Sequence, residues 1–217
     1  MKRISLLVTA VASMLAAATA LSGVAQAEPI SDSPDAKCAN LTIKTLGPRF
    51  NPSIYTFHGG TEGDDVFTGQ ATAGPDVFCG FGGVDSITTL DAGDIFLGGA
   101  GDDSVRDNLG SAYGQEGNDQ VFRNLSGGTF NGGAGDDFVF GNFAGSTFNG
   151  GDGNERAFFN EGTVNGDAGD DDVDTNAPNG TFNGGAGNDF VLNNQGTFNG
   201  GPGEDTVGGG NPPVDGP

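Results

Sequence analysis

Single apolar residues recur at regular intervals along most of this chain, each within a short run of polar residues and glycine. One set follows a glycine-rich turn, and the other follows an asparagine a few residues further on. Side chains alternate across a β-strand, so one inward apolar residue per short strand predicts two strands per repeat around a thin core. The first set is Val105, Val121, Val139, Ala157, Val173, Val191 and Val207, and the second is Tyr113, Phe130, Phe148, Val164, Phe182 and Phe198.

The glycine-rich turns share the frame Gly-Gly-x-Gly-x-Asp-x-apolar, as in GGAGDDFVF at 132–140. A constant step is typical of a solenoid, in which each repeat makes one coil and stacks on the next. We therefore predict an all-β fold, a right-handed parallel β-roll (a two-sheet solenoid) of about eight coils of 16–18 residues. The second fixed glycine falls at 83, 101, 117, 135, 153, 169, 187 and 203.

The predicted roll occupies residues 59–207, one of four segments. Residues 1–27 have the basic start, apolar run and small-x-small ending of a secretory signal peptide, with a membrane anchor as the alternative. Residues 28–58 are predicted to cap the first coil, with a short β-like run at 41–43. We expect no helix after residue 27, because no 3.6-residue period occurs and glycine is frequent. Residues 208–217 are predicted to be a disordered tail.

The charge balance limits the partners. The chain has 29 acidic and eight basic residues, a net charge of −21, and removal of Lys2 and Arg3 with the signal leaves six basic residues and −23. Such a chain repels nucleic acid and anionic lipid. We expect a secreted, extracellular protein that binds no nucleic acid and does not insert into a membrane after signal cleavage.

The chain has two cysteines, Cys38 and Cys79. In an exported protein they indicate a disulfide, with two free thiols as the alternative. This bond would tie the cap segment to the first coil.

Stacked coils place one acidic residue of each glycine turn in a row. Neighbouring carboxylates would lie about 5 Å apart and repel by ~1 kcal/mol even in water. The turns also present backbone carbonyls, and no cluster of thiols and imidazoles accompanies them. Carboxylates and carbonyls are the ligands of a hard cation, and Ca²⁺ fits best because it accepts many oxygens in loose geometry.

At 132–140 the frame matches every defined position of the nonapeptide GGxGxDxUx, so the chain resembles RTX, or hemolysin-type, calcium-binding repeat proteins over about residues 59–207. The stretch DVFCGFGGVDSI at 76–87, preceded by Cys38, also looks like small secreted actinobacterial members of this group. The resemblance implies a parallel β-roll that holds several Ca²⁺ ions between successive turns. The family usually has such turns on both edges, whereas asparagine marks most of the second edge here, so we expect one row of ions.

By carry-over, the metal ligands are the acidic residue and two glycines of each turn, with extra ions near the opening repeats. Glu155 replaces the usual aspartate, so we expect a weaker site there. The thin core indicates that folding depends on Ca²⁺. The predicted metal-site residues are Asp65, Asp76, Asp85, Gly98, Gly101, Asp103, Gly114, Gly117, Asp119, Gly132, Gly135, Asp137, Gly150, Gly153, Glu155, Gly166, Gly169, Asp171, Gly184, Gly187, Asp189, Gly200, Gly203 and Asp205.

The sequence contains no recognisable catalytic set. His58 is the single histidine, has no partner cluster and is interpreted as a solvated turn residue. Neither a zinc-protease motif nor a nucleophile elbow occurs. We expect a non-enzymatic structural, adhesion or binding module.

Two outward surfaces suggest binding. If the second-strand apolar residue points inward, threonine and asparagine form two outward columns, such as Thr147 and Asn149, that resemble the ice-binding face of some solenoid antifreeze proteins. Ice or lattice binding is therefore the alternative function, although threonine also suits exposed strands and asparagines stack as ladders.

On the other sheet, outward apolar residues would form either a cell-surface or self-association patch or scattered surface residues. These are Phe122, Phe138, Phe140, Phe158, Phe190 and Leu192.

Overall fold

The computed structural model describes residues 33–68 and 72–214. Two parallel nine-stranded sheets face each other, and the chain crosses between them after every strand, which confirms the all-β parallel roll of about eight coils. The predicted signal peptide, residues 28–32 of the cap and residues 215–217 of the tail lie outside the described residues. The first sheet contains β1 (Thr56–Gly59), β3 (Asp76–Gly82), β5 (Ile95–Ala100), β7 (Ser111–Glu116), β9 (Thr129–Ala134), β11 (Thr147–Asp152), β13 (Thr163–Ala168), β15 (Thr181–Ala186) and β17 (Thr197–Asn199). The second contains β2 (Val66–Phe67), β4 (Ser86–Leu90), β6 (Ser104–Asn108), β8 (Gln120–Asn124), β10 (Phe138–Asn142), β12 (Arg156–Asn160), β14 (Asp172–Asn176), β16 (Phe190–Asn194) and β18 (Thr206–Val207).

Equivalent positions of successive repeats pair in register although the repeats differ in length. Val139 pairs with Val121 on one side and with Ala157 on the other. The length difference lies at the asparagine edge: residues 143–146 connect β10 to β11, whereas residues 161–162 connect β12 to β13. The glycine edge therefore keeps one geometry throughout the roll.

The core is a double column of inward side chains from the two sheets. Its aromatic rings stack along the roll, as Phe130 does on Phe148 with ring centroids 5.0 Å apart. One predicted inward residue is wrong: Ala112 pairs with Phe130, and Tyr113 pairs with Asn131 on the outer face. The prediction followed the aromatic residues of the other repeats, but the pairing register decides which face a side chain occupies.

Residues 34–46 form α1 (Pro34–Leu46), where the sequence predicted a short strand and no helix. The Ser33 side chain accepts a hydrogen bond from the Ala36 N–H, Pro34 and Asp35 occupy the first turn, and Gly47 ends the helix. These are ordinary helix start and stop signals. The prediction failed because it weighed glycine content over the whole chain instead of local capping residues. A short 3₁₀ turn (Pro52–Ile54) follows. Within the described residues, no helix has the length and apolarity of a membrane span.

The cap segment lies on the outer face of the first sheet, beside the first coils, and not only over their end. Buried Cys38 of α1 packs in one apolar cluster with Phe57, Val77 and Leu97. The outward positions of these first strands are therefore apolar, whereas later coils carry threonine and asparagine. The predicted disulfide is confirmed: Cys38 and Cys79 are bonded, with Cα atoms 5.5 Å apart, and the bond joins α1 to β3.

Residues 208–214, part of the predicted tail, follow the last coil and make backbone hydrogen bonds to it. The Asn211 N–H donates to the Asn194 carbonyl at 2.7 Å, and the Val214 N–H donates to the Phe198 carbonyl at 2.7 Å. The tail thus supplies backbone partners to an edge that would otherwise be open.

A buried asparagine ladder joins the coils at the second edge. The Asn142 Nδ2 donates to the Asn160 Oδ1 and to the Thr163 carbonyl, both at 2.9 Å, and the Asn142 Oδ1 accepts from the Asn124 Nδ2 at 2.9 Å. Each amide is both donor and acceptor, so the ladder satisfies itself without any added group. Its members are Asn108, Asn124, Asn142, Asn160, Asn176 and Asn194, all fully buried.

Replacing Asn142 with alanine should lower the free energy of unfolding by about 2–3 kcal/mol, because it leaves buried polar groups of Asn124 and Thr163 without partners. Asn149→Ala is the matched control: its amide donates to Asn131 at 2.8 Å on the outer face, where water replaces it, and we expect a loss below about 1 kcal/mol. Urea unfolding followed by circular dichroism measures both. Equal losses would contradict the structural weight given to the buried ladder.

Candidate functional site

The structure brings the predicted row of acidic residues together at the glycine edge. Asp137 lies at the turn from β9 to β10 and is 1% exposed. Asp205, at the end of the row, is half-buried. We call this row the acid column. Its fully buried members are Asp85, Asp103, Asp119, Asp137, Glu155, Asp171 and Asp189.

One carboxylate oxygen of most column residues is hydrogen-bonded to the preceding coil. The Asp137 Oδ1 accepts from the Asp119 N–H at 2.7 Å, and the Asp119 Oδ1 accepts from the Asp103 N–H at 2.7 Å. The same bond joins Asp189 to Asp205 at 2.9 Å. Both oxygens of the longer Glu155 side chain are buried outside this pattern. The column is thus held inside the turns and cannot swing out to water without breaking these bonds.

The second carboxylate oxygen has no hydrogen-bond partner among the described residues. It is the Oδ2 atom, which is buried, in Asp85, Asp103, Asp119, Asp137, Asp171 and Asp189. Buried polar atoms in proteins are nearly always paired, and an unpaired one loses hydration without compensation. The same unpaired oxygen recurs along the column, and a proton or a cation would compensate its charge.

The first glycine of each frame makes room for this oxygen. A β-carbon added at Gly132 would lie 1.8 Å from the Asp137 Oδ2, and one at Gly98 would lie 2.0 Å from the Asp103 Oδ2. The other first-position glycines face their column residues in the same way: Gly114, Gly150, Gly166, Gly184 and Gly200.

The fourth-position glycine turns the backbone and aligns carbonyl groups along the roll. Gly135 has a φ of 128°, and a β-carbon there would lie 2.1 Å from the Gly117 carbonyl oxygen. Carbonyl oxygens therefore point from one coil towards the next, beside the acid column. All the predicted fourth-position glycines have positive φ: Gly101, Gly117, Gly135, Gly153, Gly169, Gly187 and Gly203.

The second position of the frame tolerates other residues at positive φ. Phe81, Gln115 and Asp167 adopt φ of 78°, 89° and 75°, and they are the non-glycine residues with positive φ in the described chain. Such a conformation costs roughly 1–2 kcal/mol per residue, so the neighbouring coils must hold it in place.

Two predicted ligands differ from the rest. Asp65 begins the column, but its Oδ2 accepts from the Thr61 N–H at 2.6 Å and the Thr61 hydroxyl at 2.9 Å. Asp76 lies on the asparagine edge, where its carboxylate contacts the Thr72 N–H at 2.6 Å and the His58 Nε2 at 2.9 Å. The structure therefore does not bring Asp76 to the column, and neither residue has an orphan oxygen to support a metal role.

His58 also differs from its prediction as a solvated turn residue. It lies in β1, its ring stacks on Phe78 with centroids 4.7 Å apart, and its side chain is 18% exposed. It ends the inner aromatic column and orients Asp76.

Burial dominates the electrostatics of the column. Loss of hydration raises the pKa of Asp103, Asp119 and Asp137 to about 7. The same cause raises the pKa of Asp85 and Asp189 to about 6. Burial, followed by the adjacent Asp171 carboxyl, raises the pKa of Glu155. The raised pKa values all indicate that the fold disfavours an uncompensated negative charge in the acid column.

Side chains alone do not complete a metal centre. Within residues 33–68 and 72–214, no three His, Cys, Asp or Glu side chains converge on a common point suited to an ion. Each coil contributes one column carboxylate, so a cation in this column would draw its remaining ligands from backbone carbonyls or water.

A third ladder was not predicted from the sequence. At the fifth position of the frame, side-chain oxygens accept backbone N–H groups of the next coil, as Asp102 accepts from Asn118 and Asn118 accepts from Asp136. Acid and amide alternate, so carboxylates in this ladder are two coils apart. The signal was present as the alternating peptides GDD and GN, and it runs through Asp102, Asn118, Asp136, Asn154, Asp170, Asn188 and Glu204.

Comparisons with protein-family profiles, with curated proteins and with solved structures found no significant match to this chain. The function is therefore argued from the chemistry of the column itself.

Gly132→Ala should destabilise the roll by more than about 2 kcal/mol, because the new methyl group occupies the position of the Asp137 Oδ2 and must displace a buried carboxylate. Gly74→Ala is the matched control, since a β-carbon there meets nothing within 4 Å. Urea unfolding compares the two variants. A neutral Gly132→Ala would show that the carboxylate does not need this space.

In metal-free buffer, the roll should be more stable at pH 5 than at pH 8. In the unfolded chain the carboxyls ionise near pH 4, whereas Asp103, Asp119 and Asp137 ionise at about 7 in the fold. The stabilisation from protonation is complete below about pH 4 and is lost as the pH rises through about 7. The β circular dichroism signal at the two pH values measures the difference, together with the urea midpoint wherever the roll is folded. Asp137→Asn should reduce it, and a midpoint that rises with pH would contradict the cause.

Proposed function

We propose that this chain is a secreted, non-enzymatic protein whose β-roll binds several Ca²⁺ ions and serves as a structural or binding module outside the cell. The observation that carries the proposal is the buried, unpartnered carboxylate oxygen repeated along the acid column. The ions would supply countercharge and no catalytic chemistry.

Calcium fits the donor set better than other groups. The column offers carboxylate oxygens with carbonyls beside them, and neither thiolate nor imidazole joins them, which favours a hard cation. Ca²⁺ tolerates irregular oxygen coordination, whereas Mg²⁺ demands near-octahedral geometry. Protons would also satisfy the oxygens, but with pKa values of about 6 to 7 most column acids lose them at pH 8.

The ligands would be the orphan Oδ2 atoms of the column and the carbonyls of the fourth-position glycines. Asp65 and Asp76 are left out, because protein donors already satisfy their oxygens. Glu155 places a longer side chain in the same space, which supports a weaker site at that coil.

Folding and ion binding are proposed to be one process. The inward core has roughly one apolar side chain per strand, while many glycines must be ordered. Metal that binds only the wound column adds its binding free energy to folding. An extracellular location, proposed from the signal-like residues 1–27 and in keeping with the Cys38–Cys79 disulfide, would supply millimolar calcium.

Ice or lattice binding remains the second candidate, with weaker support. The threonine and asparagine columns are in register, as Thr147 pairs with Thr129 and Asn149 pairs with Asn131. The asparagine amides, however, already donate along their own column, so fewer groups are free to match a lattice. Thermal hysteresis at high protein concentration would support this candidate, and its absence would exclude it.

Removal of Ca²⁺ with EGTA at pH 8 should abolish most of the β circular dichroism signal, and millimolar Ca²⁺ should restore it. Asp137→Asn should bind at least one ion fewer, or bind it about tenfold more weakly, in isothermal titration, because it removes one anionic ligand. Glu161→Gln is the control, since it removes one negative charge at the opposite edge of the roll.

A β signal and urea midpoint unchanged by EGTA would overturn the coupling of folding to calcium. Equal calcium affinity in Asp137→Asn and the wild type would move the site away from the acid column.

A further inference from the structure

The outer face of the second sheet carries a stripe that complements itself. The stripe is the third residue of each strand from β6 to β14: Arg106, Phe122, Phe140, Phe158 and Asp174. From β6 to β14 the stripe consists of one cationic residue, three aromatic residues and one anionic residue, with Phe140 at its centre. Each coil adds about 4.8 Å, so both charged ends lie about 10 Å from Phe140.

The aromatic part of the stripe is open to solvent. Phe122, Phe140 and Phe158 are 47%, 50% and 46% exposed. Phe140 and Phe158 stack with centroids 4.9 Å apart and an interplanar angle of 8°. Their faces are turned to each other, so ring edges point outward, which favours apolar packing over flat stacking on a sugar or a base.

We propose that a second copy of this chain covers the stripe, in antiparallel orientation about a two-fold axis through Phe140. This axis places Phe140 on the partner's Phe140, Phe122 on the partner's Phe158, and Arg106 on the partner's Asp174. A parallel arrangement would set arginine against arginine and aspartate against aspartate. Charge therefore selects the antiparallel pair.

Arg106 is the arginine of this face without an ion pair in the described residues. Arg123 pairs with Asp107, and Arg156 pairs with Asp174 at 2.9 Å. Arg106 and Asp174 of one chain are four coils, about 19 Å, apart and cannot meet within it. In the dimer, Arg106 reaches an aspartate that lies beside Arg156, so the partner's Asp174 accepts from two cations.

The shape of the face repeats the same symmetry. An open groove of ≈ 600 Å³ runs along one half of the stripe, from Ser86 and Thr88 past Arg106 to Phe140. Leu192, 46% exposed, follows Asp174 at the other end. Thr88 and Leu192 are each three coils from Phe140, so the two-fold axis sets the partner's Leu192 over the groove.

The size of the contact indicates a weak dimer. Seven coils of about 4.8 Å by a strand width of about 15 Å give on the order of 500 Å² per copy, or about 1,000 Å² in total. This is near the lower limit for a specific interface, and it corresponds to association at micromolar or higher concentration.

Sedimentation equilibrium of the disulfide-bonded chain in calcium buffer tests the proposal from micromolar to submillimolar concentration. We expect a monomer–dimer equilibrium. Arg106→Asp should weaken it about tenfold or more, because the new carboxylate would face the partner's Asp174 at both ends. Asp174→Arg should do the same with two arginines. Arg49→Asp, the same charge change on an exposed loop away from the stripe, should leave it unchanged.

The decisive measurement mixes the two stripe variants. The Arg106→Asp chain carries aspartate at both positions of the stripe, and the Asp174→Arg chain carries arginine at both. In the antiparallel heterodimer, each end joins residue 106 of one chain to residue 174 of the other. Both ends of that heterodimer then set aspartate against arginine, so the mixture should dimerise about as strongly as the wild type although neither variant does so alone, and a mixture as weak as its components would contradict the charge pairing. The double variant Arg106→Asp/Asp174→Arg restores opposite charges at both ends and should dimerise like the wild type.

Circular dichroism of each variant should be measured first, to establish that it is folded. Phe140→Ser, which removes the central contact, should also abolish the dimer. A monomeric wild type at submillimolar concentration, or a double variant that stays monomeric, would overturn the proposal.

Discussion

One buried carboxylate per coil, about 5 Å from the next, is the constraint on which the rest of the roll depends. The Asp137 side chain cannot turn to water, because it holds the Asp119 N–H of the preceding coil. Two ionised carboxylates at this spacing repel by about 3 kcal/mol at an effective dielectric constant of about 20. A fully ionised column without countercharge would therefore oppose folding at every coil. The raised pKa values and the unpaired carboxylate oxygens have the same cause, which is buried negative charge without a countercharge.

Both edges of the roll bury one polar side chain per coil, and each buried side chain needs partners for its polar atoms. The two edges supply these partners with different chemistry. At one edge, Asn142 both donates and accepts, so the ladder is complete within the chain and neutral at every pH. At the other edge, Asp137 can only accept while ionised, so its ladder is complete only with a proton or a cation. This difference also accounts for the repeat lengths. From β3 to β16 the self-contained edge accepts connections of two or four residues, whereas every connection at the glycine edge has three residues and holds its column residue in the same turn.

The spacing of the glycine frame was sufficient to predict the two sheets, their register and the acid column, since stacking follows from the repeat itself. Features without a repeat were harder. Helix α1 occurs once, so periodicity carried no information about it, although Ser33, Pro34 and Gly47 marked its ends. Tyr113 was predicted to point inward as the aromatic residue of its strand, but it lies one residue out of register with Phe130. The orphan oxygens could not be predicted, because which carboxylate oxygen meets a backbone N–H depends on the depth of the side chain in the turn.

The aromatic stripe depends on the stacking of the coils that carry the acid column. The stripe exists only when consecutive strands are stacked in register, so under the proposed calcium dependence, loss of calcium would disperse Phe122, Phe140 and Phe158 along an unfolded chain. Loss of the stripe removes no contact from the column, which lies at the turns. Association also brings together two chains that each carry a net charge of −21, and neutralisation of the column reduces this repulsion. If the column binds calcium as proposed, dimer formation should follow calcium binding, whereas calcium binding should not require the dimer.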